Sequence, residues 1–236
     1  DYFKAGLYGR SEELLLSLNK EKYYQFSLNT LLEIYVKERE WEKAIEKATE
    51  LEKISGVSFR ISISHYLCEI AVSQILNKKY TLAKKTLNKA LEESKNCIRA
   101  NILIGDIYAE EKLYEEAIVY WKKIEFQQPE YLGLVAPKII NTLQVTGKIN
   151  EGLSILARFF DLYKLKTLLN VLYESVLANE GANQAETIAR NEMIQRPSLY
   201  ALDKLFQAQA IGKTTKIENI ELIQQTIKNT IGDRRF

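Results

Sequence analysis

The chain has 236 residues, 46% of them hydrophobic, and Lys+Arg 33 against Asp+Glu 31 leaves a net charge of +2. That balance speaks against a nucleic acid or a strongly anionic surface as partner. The apolar content, with only ten Gly and three Pro, suits a helix-rich packed protein rather than a disordered one. No apolar run is long enough to span a bilayer, and no secretory leader is expected within these residues.

In chain order, apolar spacing predicts helices over residues 8–19, 25–38, 40–54, 60–77, 80–93, 97–111 and 114–126, then 131–146, 149–161, 164–179, 182–195, 198–211 and 217–231. Four of these helices open alike, with an aromatic residue three places before a small one: Tyr8/Ser11, Trp41/Ala44, Tyr80/Ala83 and Tyr114/Ala117. The small residues continue at Gly152 and Ala185, giving intervals of 33, 39, 34, 35 and 33. A period near 34 is the signature of tetratricopeptide repeats, helix-turn-helix units that bury their apolar faces only by stacking. The predicted fold is all-α, a right-handed superhelical solenoid of antiparallel helix pairs. It is expected to run over 1–236 as one domain of about six repeats, with 199–236 supplying C-terminal capping helices. Tyr2 stands where the first helix of a unit should end, so the first repeat is expected to be incomplete.

The stretch from Ile98 to Pro129 fits the repeat best, with Gly105, Tyr108, Ala117, Trp121 and Pro129 in their slots. Gly105 and Ala117 let the paired helices approach, the two aromatics fill space between units, and Pro129 closes one repeat. Pro197, twice 34 residues later, repeats that stop. Leu32, Tyr35, Ala44 and Ala48 occupy matching slots in one neighbour, and Ala71, Ala83, Leu87 and Ala90 in the next. Gly6 and Gly147 fall in turns that favour a left-handed residue. Gly56 marks a longer loop around 54–58, and Pro137 is expected near a helix start, where its missing N–H is tolerated.

Chemistry is scarce. Cys68 and Cys97 lie 29 apart without CxxC spacing and read as buried thiols of a reducing compartment. His65 is the one histidine, with Cys68 at i+3 and Glu69 at i+4, a spacing that can put ligands or a Cys–His pair on one helix face. Nothing supplies the orienting group or oxyanion site that catalysis by that pair would need. Phosphate loops, nucleophile elbows and paired pocket carboxylates are absent from the sequence. The lysines at 78, 79, 84, 85 and 89 and the acidic run from Glu38 to Glu52 read as solvated outer faces.

The informative surface is the concave wall built by the first helix of each unit. The register places Asn29, Glu33 and Lys37 there, followed by His65, Cys68 and Val72. Arg99, Ile102, Asp106 and Glu110 come next, then Asn141 and Gln144, then Asn170 and Glu174. A groove for one terminal carboxylate would need a basic cluster. The acids Glu33, Asp106 and Glu174 point instead to a charged peptide segment or a folded protein.

Several stretches resemble the lipopolysaccharide assembly protein B family of Gram-negative bacteria. They are DYFKAGLYGRSEEL at 1–14, LLEIYVKEREWEKAIEKA at 31–48, HYLCEIA at 65–71, ILIGDIY at 102–108 and QRPSL at 195–199. The resemblance implies an adaptor on the cytoplasmic face of the inner membrane. Such an adaptor lowers lipopolysaccharide synthesis by helping the membrane AAA+ protease degrade the deacetylase that commits precursors to lipid A. It implies these proteins and inner-membrane regulators as partners, with homo-oligomerisation open, and no catalytic residues. The family's N-terminal membrane helix and its rubredoxin-like tail, which would hold iron or zinc, are expected outside these residues, so no cofactor is expected within them. The alternatives are a general tetratricopeptide co-chaperone or assembly scaffold gripping a peptide in the groove and, from a different class, an enzyme using His65 and Cys68.

Overall fold

The computed structural model describes residues 2–18 and 20–213, together with 220, 223, 224, 227 and 228. The predicted helix over 217–231 and the closing residues 229–236 lie outside the described residues or largely so. Every described element is helical, and the helices pair as tetratricopeptide units. By its contacts the chain divides into two compact units, Asp1–Gln128 and Pro129–Phe236.

The first unit contains α1 (Tyr8–Ser17), α2 (Lys20–Glu38), α3 (Trp41–Ser55), α4 (Arg60–Leu76), α5 (Tyr80–Glu93), α6 (Ile98–Glu110), α7 (Tyr114–Lys122) and α8 (Ile124–Gln127). Helices α2 and α3, α4 and α5, and α6 and α7 form its pairs, and α1 precedes them as an unpaired second helix. The aromatic-to-small rule holds at each second helix. Tyr8, Trp41, Tyr80 and Tyr114 are first residues, and Ser11, Ala44, Ala83 and Ala117 are buried. A first-helix position is as tightly limited: at Gly105 on α6 a Cβ would stand 2.5 Å from Trp121 Nε1. Trp121 is 2% exposed, so its rigid indole fills the space that the glycine leaves.

The second unit contains a 3-10 turn at Pro129–Tyr131, then α9 (Leu132–Val145), α10 (Ile149–Tyr163), α11 (Lys166–Glu180), α12 (Ala182–Gln195) and α13 (Leu199–Gly212). Its core includes Ile139, Leu156, Phe159, Leu168, Tyr173 and Met193, each fully buried. Gly152 and Ala185 occupy the small slots of α10 and α12 and are likewise buried.

Three local expectations are corrected. Helix α2 begins at Lys20, five residues earlier than predicted. The helix expected over 114–126 divides at Lys123, where the Phe126 amide reaches the Lys123 carbonyl in a tighter i–3 bond. Pro137 is the sixth residue of α9, not a first-turn residue. It therefore deletes one intrahelical bond, and the burial of Ala136, Ile139 and Ile140 around it holds the helix together.

The turns between paired helices repeat a left-handed residue that sequence patterning finds only where it is glycine. Positive φ recurs at Gly6, Arg39, Lys78, Lys112, Gly147 and Gly181, following the repeat period. At Arg39, Lys78 and Lys112 a basic residue accepts a conformation that glycine adopts without strain.

Candidate protein-binding walls

Within the first unit the first helices are α2, α4 and α6, and α4 touches α6 directly. Glu69 on α4 and Arg99 on α6 close an ion pair across that contact, with Glu69 Oε1 to Arg99 Nη1 at 2.5 Å. The two residues are 30 apart in sequence, one repeat less one helical turn, so the register itself delivers them to each other. Glu33, His65, Arg99 and Glu110 are exposed and present charge of both signs alongside the imidazole.

Other predicted wall residues are occupied within the fold. Asn29 donates its side-chain amide to the Gln25 carbonyl at 2.8 Å, on its own helix. The Lys37 ammonium lies 4.5 Å from the Phe3 ring centroid and 5.6 Å from that of Tyr8, tying α2 to the N-terminal segment. Asp106 Oδ1 accepts from Trp121 Nε1 at 3.1 Å, so this carboxylate anchors the indole that packs on Gly105.

Cys68 is the clear correction. It is fully buried in a core with Ala71, Ala83, Leu87 and Cys97 and does not line the wall. Position i+3 from exposed His65 rotates it past the edge of the solvent stripe. His65, Cys68 and Glu69 thus diverge: the imidazole faces solvent, the thiol faces the core, and Glu69 faces Arg99. The reading of both cysteines as buried thiols is met. Among the described residues, no group of three or more His, Cys, Asp or Glu side chains is placed to hold a metal ion. No helix among them is long and apolar enough to cross a membrane.

In the second unit the first helices are α9, α11 and α13. Asn141 and Gln144 on α9 are exposed, Asn170 on α11 is half-buried, and Glu174 on α11 is exposed. Glu174 Oε1 meets Lys204 Nζ of α13 at 2.7 Å, again 30 residues away. Lys204 is only 7% exposed, and its ammonium lies 4.9 Å from the Tyr173 ring centroid and 5.9 Å from that of Tyr200. Sequence patterning misses Lys204 because a lysine at a core slot reads as surface. Its one signal is the offset of 30 from Glu174, shared with Glu69 and Arg99.

A second concavity belongs to the same unit. A cleft of about 500 Å³ opens among α10, α11 and α12, floored by Leu153, Phe160, Leu172 and Val176 and rimmed by amides including Gln184 and Asn191. None of the residues predicted for the wall lines it. The repeat register projects only the wall positions Asn170 and Glu174 of α11, so a hollow that α11 shares with α10 and α12 leaves no periodic mark.

Comparison with known proteins bears on what these walls serve. No family model matches the chain. Lipopolysaccharide assembly protein B of Escherichia coli strain K12 is 26% identical over 206 residues, covering 87% of this chain and 53% of that protein. Its namesake from Haemophilus influenzae strain Rd is 24% identical, covering 98% of this chain and 60% of that protein. The sequence resemblance holds. The chain is similar to these curated relatives along most of its own length, and it spans only about half to three-fifths of theirs. Among solved structures, a thermophilic tetratricopeptide protein of Thermus thermophilus aligns with TM-score 0.41 and 15% identity over 79% of this chain and 97% of that one. A tetratricopeptide repeat protein from Parabacteroides merdae aligns with TM-score 0.31 and 14% identity over 93% of this chain and 100% of that one.

Proposed function

We propose that this chain is a non-enzymatic, protein-binding adaptor region acting in lipopolysaccharide assembly. The observation that carries this reading is the similarity, along most of the chain, to proteins named for that process. The walls give the reading a physical means. Helix pairs hold exposed side chains of both signs on consecutive first helices, which suits a protein or peptide partner of mixed charge better than one terminal carboxylate.

The finer reading is regulation by delivery. The chain holds the deacetylase of the lipid A pathway for degradation by the membrane AAA+ protease, at the cytoplasmic face of the inner membrane. Packed helix pairs suit such a task, because two partners can occupy separate faces and gain from being held together. In this reading the described residues need no cofactor, and the residues that act are docking residues.

In-cell crosslinking followed by purification of the product of the natural gene tests the proposal. Recovery of the deacetylase and the protease, with crosslinks to the helices that carry Glu33, His65, Arg99 and Glu110, is the expected result. Recovery of neither protein contradicts the delivery reading. Recovery of both through other surfaces contradicts the assignment of the walls.

A further inference from the structure

Cys68 on α4 and Cys97 at the start of α6 stand with their sulfur atoms 3.7 Å apart, both buried and neither in a disulfide. We infer that these two thiols form a redox-active pair, in which Cys97 attacks a small peroxide and Cys68 resolves the product into an intramolecular disulfide. Nothing in the proposed adaptor role requires this chemistry, and its test is independent of that role.

The two sulfurs differ in surroundings, and the difference assigns the parts. Cys97 is the N-cap residue of α6, a helix of 13 residues. The first-turn amide of Ala100 lies close enough to favour its thiolate without closing a capping hydrogen bond. The hydrogen bond shared with Cys68 holds the Cys97 thiol below its ordinary range, against the opposing effect of burial. The same bond, followed by desolvation, pushes the Cys68 thiol up. The Ser64 hydroxyl is also near Cys97, but it donates its one proton to the Ala90 carbonyl at 2.8 Å. The charged groups nearby, Glu69 and Arg99, belong to the wall and offset each other there.

Cys68 is fully enclosed while Cys97 keeps 6% of its surface exposed, so the residue with the activated sulfur is also the less enclosed of the two. The Cys97 thiolate attacks the terminal oxygen of a hydroperoxide, the O–O bond breaks, and an alkoxide or hydroxide leaves and takes up a proton. The resulting Cys97 sulfenic acid is then attacked by the Cys68 sulfur. The S–S bond forms, the S–O bond breaks, and hydroxide departs with the Cys68 proton as water. Two electrons pass from the dithiol to the peroxide. The sulfurs must close from 3.7 Å to about 2.05 Å for the bond to form. The new bond would join α4 to α6, the two helices that Glu69 and Arg99 already bridge at the surface.

The test exposes the folded chain to hydrogen peroxide, quenches the reaction, unfolds the protein and counts its thiols, with peptide mapping by mass spectrometry. Loss of both thiols, a mass lower by two hydrogens, a Cys68–Cys97 crosslinked peptide and full recovery with dithiothreitol are expected. Cys68→Ser should stop the reaction at a sulfenic acid on Cys97 that dimedone captures, whereas Cys97→Ser should leave Cys68 unreactive. Retention of both thiols in the wild-type chain overturns the proposal, as does their loss into disulfides between chains. Dimedone capture at Cys68 in Cys97→Ser, with none at Cys97 in Cys68→Ser, overturns the assignment of attacker and resolver. Should either variant fail to fold, the wild-type crosslink map decides.

Discussion

The two units carry the same ion pair in different settings. In the first, Glu69 and Arg99 meet with side chains 32% and 43% exposed, while in the second Lys204 is 7% exposed beneath a Glu174 that is 51% exposed. Both pairs span 30 residues and join consecutive first helices, so the repeat register produces each of them. Burial then decides what the pair does. A solvated pair contributes little to stability and leaves its charges available to a partner. A lysine whose stem is buried over aromatic rings is part of the packing. One period thus yields a surface suited to recognition in one place and a structural tie in another.

The small-residue slots sharpen the same contrast and carry the largest expected effect. At Gly105 an added Cβ would stand 2.5 Å from the indole nitrogen of Trp121, and at Gly152 it would stand 2.6 Å from Ile140 Cδ1. The indole is rigid and also holds Asp106, whereas a terminal methyl can swing aside. Gly105→Ala should therefore destabilise the chain by about 1–3 kcal/mol through overpacking. Gly152→Ala should cost under about 1 kcal/mol, because the helix propensity of alanine offsets the small repacking. Urea denaturation of both variants checks this, and equal losses would break the contrast.

A smaller difference should separate the ion pairs. Lys204→Ala removes a buried stem, its contact with two tyrosine rings and the bond to Glu174, and should cost roughly 1–2 kcal/mol. Lys204→Met should recover part of that loss by restoring the stem. Arg99→Ala should cost under about 1 kcal/mol, as expected of an exposed pair. Thermal melts rank the three. Arg99→Ala as damaging as Lys204→Ala would show that burial does not distinguish the units.

The smallest effect lies in the turns. Lys78 and Lys112 hold φ of 57° and 63°, in a slot where Gly147 has 73°. Lys78→Gly and Lys112→Gly should each stabilise by roughly 0.5–1 kcal/mol, while Gly147→Lys should do the reverse. Unchanged denaturation midpoints would mean that the turns tolerate either residue.

Much of this architecture is legible from residues alone, and the failures share a cause. The aromatic that opens each second helix and the small residue three places on mark helix starts and close contacts, because both are dictated by neighbouring backbone. Pro129 and Pro197 mark the breaks for the same reason. Cys68, Asp106 and Lys204 are harder to place because their roles depend on tertiary neighbours: the Cys97 sulfur, the Trp121 indole and Glu174. The left-handed basic residues escape the sequence because composition advertises such turns only through glycine. The cleft of the second unit escapes it because α10, α11 and α12 line it with residues other than those the period indexes.

The claim that the first-helix walls hold protein partners is tested most directly by reversing exposed charges that the fold does not need. Glu33→Lys combined with Glu110→Arg leaves the core and the Glu69–Arg99 and Glu174–Lys204 pairs intact. Circular dichroism and melting temperature should stay as in the wild type, while capture of the proposed protein partners from cells should fall at least about tenfold, the loss of one or more well-placed charge contacts. Wild-type capture by that correctly folded double variant would contradict the account.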